Sequence, residues 1–435
     1  MAVQVAGDEV VDLVTMGCAW TLDLSALPAV AAAEMRARWG RCAELAADPT
    51  TLLLDDEPQV LRVGLAGDGT GATVVASDLE RLPYVLSREI TRLGLTRLRG
   101  RVTLLHAAAL ADPDGRAVVL VAPSGGGKST ATSVLGQRLG YVTDESVVLR
   151  GDGRIAPHPK PPSLVIDPAD RWHKAEPSPD ESGLGPTPPS PTIAALLTLA
   201  RDPAVTSSRI EPVGLVDQLL AVLPETSSTW WLDDGLDRLA RAVTAGGAPA
   251  RLVYAEVATC HELVAEHLAQ AAPVEPTWEH LPPRPQERLP RDEVPPTAPR
   301  TSQDPRVLRS SDDRTSQNPR VLRSLDDGES PAPRDMELPR DLEPEGAARV
   351  VRAPWSDAIA CDGEVLVLAG ARPLRLAGPG AVVWRAAREP VTVAELTATV
   401  VAKLGKHPEA DRIVGEAVAE LIDHGALQRV ASPAP

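Results

Sequence analysis

The sequence predicts an α/β protein made of two folded parts of unequal size joined by a proline-rich linker. Three observations carry that expectation. A glycine-rich loop at 122–130 stands between an apolar strand and a helix-spaced run. From Pro273 to Pro344, proline falls fifteen times among charged and small polar residues, a composition that buries too little apolar surface to fold. Beyond it, the residues read as three helices with short strands, the pattern of a small α+β winged helix-turn-helix. The expected domains are 1–272 with a core at about 78–272, a disordered linker at 273–348, and 349–431.

The chain has 435 residues, enough for two or three domains at roughly 150 residues each. Hydrophobic residues make up 43% and charged residues 24%, which sets aside wholesale disorder. The net charge of −16 argues against a protein that coats nucleic acid or an anionic membrane, because both need a basic face. Cys18, Cys42, Cys260 and Cys361 are scattered without metal-ligand spacing, so neither a zinc site nor a disulfide framework is expected. No apolar run reaches membrane-spanning length, and the first basic residue is Arg36, after Asp8, Glu9 and Asp12. The expected location is therefore the cytoplasm.

Along the larger part, 103–110 reads as a strand, Asp112-Pro113-Asp114-Gly115 as a tight turn and 117–121 as a second strand, fully apolar. Then comes Ala122-Pro123-Ser124-Gly125-Gly126-Gly127-Lys128-Ser129-Thr130, followed by Ala131, Val134, Leu135 and Leu139 at helical spacing until Gly140. The spacing is that of a phosphate-binding loop with alanine in the leading position. Glycines let backbone amides turn inward, the helix start adds the positive end of its dipole, and Lys128 reaches the outer phosphates. Ser129 can ligate Mg²⁺, and Ser124, Gly125, Gly126, Gly127 and Thr130 complete the cradle. Two short apolar segments at 140–149 flank Asp144 and Glu145, which suit a metal ligand or proton acceptor facing the loop; an exposed turn is the alternative. Eleven prolines between Pro157 and Pro191 predict an irregular excursion, or a lid. Trp230-Trp231 are expected to be packed inside, with an aromatic patch as the alternative.

Taken together, His106, the hairpin, the loop and its helix, Leu139-Gly140 and the acidic pair resemble the core of HPr kinase/phosphorylase and its relatives, which share a fold with phosphoenolpyruvate carboxykinase. Pro157-His158-Pro159-Lys160-Pro161 resembles the proline-lysine segment that follows in the kinase-like branch. The resemblance implies ATP as phosphoryl donor and Mg²⁺ as its metal. It makes Asp144 the general base and places Glu145 where a second aspartate holds metal or phosphate. It sets His106 close to the phosphates, where a lone strand histidine would otherwise read as a packed core residue, and gives Lys160 either a phosphate contact or a solvated loop position. The chain departs from the family in having Asp-Glu for Asp-Asp and Lys-Ser-Thr for Lys-Ser-Glu, and it lacks the later glycine-rich signature and catalytic arginine loop. HPr is therefore not the expected substrate. The chain is expected to be a diverged kinase, or a nucleotide binder that has lost turnover.

In the smaller part, strands at 364–368 and 373–376 precede helices at 380–388, 393–404 and 411–423, and a strand at 427–430. From 349 onward there are ten basic and ten acidic side chains, a balance without the footprint of a DNA reader. With Trp384 in the first helix, Pro390-Val391-Thr392-Val393-Ala394-Glu395-Leu396 opening the second and His424-Gly425-Ala426-Leu427 closing the third, this part is similar to the PqqD family. That likeness implies a partner: a ribosomal precursor or leader peptide, or a partner protein, held as an added strand on a sheet edge. The linker contains a tandem repeat of fourteen residues, Arg300 to Asp313 and Arg314 to Asp327, differing only at Asp304/Asn318 and Ser311/Leu325. It reads as a duplication tolerated where length matters little, or as a recognition element presented twice.

Overall fold

The computed structural model describes residues 9–67, 69, 71–167, 170–290, 322–324 and 349–430. The chain divides into two compact units, one holding the residues up to Leu232 and Arg238–Glu275, the other Asp233–Asp237 and everything from Pro276. Its architecture is mixed α/β with several sheets.

The first unit opens with β1 (Val10–Thr15) and β2 (Cys18–Asp23), joined by Met16 and Gly17, both at positive φ, as a two-residue hairpin turn demands. α1 (Ala29–Arg38), α2 (Gly40–Ala47), β3 (Asp55–Leu65), β4 (Val74–Ala76) and α3 (Leu82–Leu98) follow. The four strands form one sheet in the order β1-β2-β3-β4. Trp20, Leu22, Trp39, Leu82, Leu86 and Ile90 build a core between this sheet and the helices.

Next in the chain are β5 (Thr103–Leu105), β6 (Ala108–Ala111), β7 (Arg116–Val121), α4 (Lys128–Leu135), β8 (Gly140–Thr143), β9 (Val147–Leu149) and β10 (Ile155–Ala156). They are followed by β11 (Leu164–Asp167), β12 (Asp170–Ala175), β13 (Thr192–Arg201), β14 (Arg209–Pro212), α5 (Leu215–Val222), α6 (Gly235–Val243), β15 (Ala250–Tyr254) and α7 (His261–Gln270). A six-stranded sheet runs β14-β15-β13-β7-β6-β8, with β13 parallel to both β7 and β15. β7 is apolar throughout after Arg116 because it is buried on both faces at the sheet centre. Leu110, Leu120, Leu135, Leu197, Leu252 and Val264 form the core on this sheet.

The structure corrects three sequence expectations here. The strand expected at 103–110 is two strands that break at His106-Ala107 and enter different sheets, β5 pairing with β9 and β6 with β7 and β8. Both halves are apolar and buried, so pattern alone does not show the break. The helix after the loop ends at Leu135, short of Gly140: Gly136 caps it, and the chain then tightens, the Gln137 and Arg138 amides donating three residues back to the Val134 and Leu135 carbonyls. The proline-rich stretch after 157 is no lid at its start: His158 and Lys160 are buried, and the His158 amide donates to the Val142 carbonyl at 2.9 Å.

The second unit contains β16 (Glu279–His280), β17 (Leu322–Ser324), β18 (Arg349–Arg352), β19 (Asp357–Cys361), β20 (Glu364–Ala369) and β21 (Arg372–Leu376). α8 (Gly378–Ala386), β22 (Val391–Thr392), α9 (Val393–Leu404), α10 (Ala410–Asp423) and β23 (Leu427–Val430) complete it. One sheet runs β16-β19-β20-β21-β17 and another β22-β18-β23. The three helices lie within a residue or two of their expected positions. Thr392 and Glu395 form a reciprocal capping box at the start of α9. Trp355 and Trp384 meet edge-on at 5.3 Å in the core, and the Arg352 guanidinium lies 3.9 Å from the Trp384 ring centre.

Residues 276–290, expected to be disordered linker, instead belong to this unit. His280 pairs with Ile359, the Leu281 amide donates to Ala358 at 2.8 Å, and the Trp355 amide donates to Glu287 at 3.0 Å. Trp278 and Leu281 supply apolar surface that an average over the proline-rich stretch conceals. Of the expected linker, 291–321 and 325–348 lie outside the described residues. Among the described residues no helix is long and apolar enough to cross a membrane.

Candidate functional site

The glycine loop occupies the turn between β7 and α4. Gly127 precedes the helix at φ 95°, in the left-handed region. Gly126 is needed for a different reason: a Cβ there would stand 2.8 Å from Ala122 Cβ and 2.9 Å from the Pro123 carbonyl oxygen. As a glycine, Gly127 brings no side chain to cap α4, so the amides of the first helical turn look to whatever enters the space before it. Lys128 is buried, its Nζ donating to the Ala122 carbonyl and lying 3.8 Å from Glu225 Oε2.

A cavity of about 530 Å³ opens against this loop. Ser124, Gly125, Gly127, Lys128, Ser129 and Thr130 line one side, and His106, Asp144 and Glu145 line another. The structure thus brings every sequence-selected site residue to one cavity except Gly126, which shapes the loop. His106 sits at the β5–β6 break, where its amide donates to the Glu225 carbonyl at 2.6 Å. That bond docks the 223–225 turn beside the loop and sets the Glu225 carboxylate near Lys128.

Asp144 and Glu145 follow β8 directly. Asp144 is buried and fully engaged: Tyr141 Oη donates to Oδ1 at 2.9 Å, Lys160 Nζ lies 3.1 Å from Oδ1, and the Ser163 amide donates to Oδ2 at 3.3 Å. Burial by itself pushes a carboxyl pKa up, but the Lys160 charge and these hydrogen bonds outweigh it and hold Asp144 below the usual range. Lys160 is 1% exposed and also lies 3.5 Å from Glu145 Oε2. Burial would lower its pKa; Asp144, Glu145 and Glu176 override that and raise it. Lys160 is therefore neither a solvated loop cation nor a bare phosphate ligand, but the buried counter-ion of the acidic pair.

Other groups complete the site or pack behind it. Glu176, buried, accepts hydrogen bonds from Ser87 and Ser163, both at 2.6 Å. His158 is fully buried between the Thr15 hydroxyl at 2.6 Å and the Thr91 hydroxyl at 3.1 Å. Burial, with Lys160 nearby, drives its pKa down to about 3. Arg88 and Arg92 of α3 reach the cavity as well. These contacts join residues far apart in sequence, so no local spacing announces them. Trp230 is buried as expected, while Trp231 is half-buried with Arg99 5.5 Å from its ring centre.

Among the described residues no group of three or more His, Cys, Asp and Glu is placed to hold a metal ion unaided. Ser129 and Glu145 nevertheless present oxygen donors to the same cavity, Glu145 at 44% side-chain exposure. Oxygen donors in small number suit Mg²⁺, which takes one or two protein ligands beside phosphates and waters. All four cysteines are buried as free thiols. No known family's sequence profile matches the chain, and no curated protein is significantly similar to it.

Proposed function

We propose that the first unit is a P-loop domain of the HPr kinase and phosphoenolpyruvate carboxykinase type, acting as an ATP-dependent phosphotransferase. The second unit, on the same reading, is a PqqD-like winged helix-turn-helix module that captures a ribosomal precursor or leader peptide, or a partner protein. One observation carries the proposal: a glycine loop with Lys128 and Ser129 shares a cavity with Asp144, Glu145 and His106.

In this mechanism the loop amides and the start of α4 hold the phosphates, and Lys128 exchanges the Ala122 carbonyl for a phosphate oxygen. Ser129 and Glu145 would hold Mg²⁺, which when bound would supply charge neutralisation at the transferring group. The acceptor oxygen forms its bond to phosphorus as the bridging oxygen of ADP leaves, and the acceptor proton passes to Asp144. Lys160 keeps Asp144 ionised and so ready to accept that proton. Capture by the second unit raises the acceptor to an effective concentration on the order of millimolar.

A second reading, a nucleotide-binding adaptor that presents a leader peptide to another modifying enzyme, draws support from the same ion pair. A carboxylate held below its usual range is a weaker base. Asp144→Asn separates the two. With labelled ATP and peptides encoded beside the gene, a kinase loses about 10²- to 10⁴-fold in transfer rate while keeping nucleotide binding. Wild-type protein that binds nucleotide but labels no peptide would instead favour the adaptor. A thermal melt of the variant checks that Lys160, left with Glu145, is still accommodated.

A further inference from the structure

Both outer edges of the five-stranded sheet in the second unit are covered by segments from between the two expected domains, but in different ways. On β19 the cover is built in. His280 Nε2 lies 2.7 Å from the buried Asp357 Oδ1, Trp278 Nε1 donates to Asp237 at 2.9 Å, and Arg284 Nε donates to Glu287 at 3.0 Å. On β21 the cover is three residues of the tandem repeat, with Leu322 opposite Leu376, Arg323 opposite Arg375 and Ser324 opposite Leu374.

We propose that the β21 edge is a docking site for this chain's own repeat, and that the Val-Leu-Arg-Ser stretch of either copy, 307–310 or 321–324, adds there as an exchangeable antiparallel strand. The two stretches are identical, and the positions at which the copies differ lie outside them. What accepts one therefore accepts the other.

β21 is an outer strand by composition. It carries Pro373, which a central strand does not tolerate. Uncovered, its outward N–H and C=O groups would form an open template for another strand. Pro373 also ends the run of donors, and the observed pairing stops at Leu374. A contact of three residues is weak alone, but a segment on the same chain meets the edge at a concentration on the order of millimolar. With an intrinsic affinity of about 0.1 mM, the edge would be covered roughly nine-tenths of the time. Any peptide that adds to β21 from outside must displace the repeat, so the duplication sets the threshold for capture. The docking itself does not depend on the second unit being a peptide-capture module.

Hydrogen exchange on the full chain tests this, with Leu308→Pro, Leu322→Pro and the double variant, since proline removes an amide donor. Each copy is bound at most half of the time, so the repeat's own amides slow by no more than about twofold and the outward amides of Leu374–Leu376 carry the readout. In the double variant these should exchange about tenfold faster than in wild type, and in either single variant by no more than about twofold. A labelled peptide of residues 314–327 should correspondingly bind the double variant about tenfold more tightly than wild type. Unchanged exchange in the double variant, a full effect from Leu322→Pro alone, or equal peptide affinity for the two proteins would each overturn the proposal.

Discussion

Lys160 shows how much one buried side chain organises. Its ammonium sits among Asp144, Glu145 and Glu176, and its position next to the neutral His158 completes a polar cluster inside the first unit. His158 gives this cluster a pH signature. Above pH 6.5 its imidazole is neutral in both folded and unfolded chains, so stability does not depend on it. As pH falls from 6.5 towards 3, the unfolded chain takes up a proton that the folded chain excludes, and stability drops by about 1.4 kcal/mol per pH unit. Asp144 acts lower: its contribution is present above the unfolded value of 3.8 and is lost only as pH falls through its depressed folded value. Denaturant unfolding at pH 7 and pH 5 should therefore show wild type losing about 2 kcal/mol more than His158→Asn. Equal losses would mean that His158 is accessible to protons in the folded chain.

At the scale of elements, the loop and the start of its helix were readable because their signal is local, and the second unit's helices because apolar residues recur every three or four positions. The 103–110 stretch was not readable. Two short buried strands in different sheets and one longer buried strand have the same apolar composition. The loop's geometry makes a prediction of its own. In Gly126→Ala the new methyl would stand 2.8 Å from Ala122 Cβ and 2.9 Å from the Pro123 carbonyl oxygen, both tied to the loop backbone. ATP affinity should fall at least about tenfold, and unfolding free energy by about 1–3 kcal/mol as the loop shifts to relieve the contact. Nucleotide titration and denaturation of the same preparation check both, and unchanged affinity would remove the loop from the binding site.

At the scale of the whole molecule, residues 276–290 mark the point where composition misleads. They lie in a proline-rich stretch yet provide the partner of Asp357, a carboxyl with no exposed surface that also accepts from the Leu236 amide at 2.7 Å. Replacing 276–290 in the full chain by a glycine-serine segment of equal length leaves that carboxyl without His280. A loss of about 2–3 kcal/mol should lower the melting temperature of the second unit by roughly 10–20 °C. An unchanged melt would return the segment to the status of a passive tether.

By itself the sequence determined the mixed α/β class, a strand–loop–helix beginning at 117, and helices close to 393–404 and 411–423. Each of these follows from periodicity or spacing within a few residues, where the backbone alone sets what lies beside what. Only the tertiary structure decided that Lys160 neutralises Asp144, that Glu225 approaches Lys128, that His158 is buried neutral, and that β19 and β21 are covered by strands from the stretch that composition marks as linker. A charge taken out of water must find a partner wherever the fold places one, and an open strand edge must find a strand. Neither requirement leaves a mark in the residues next to it.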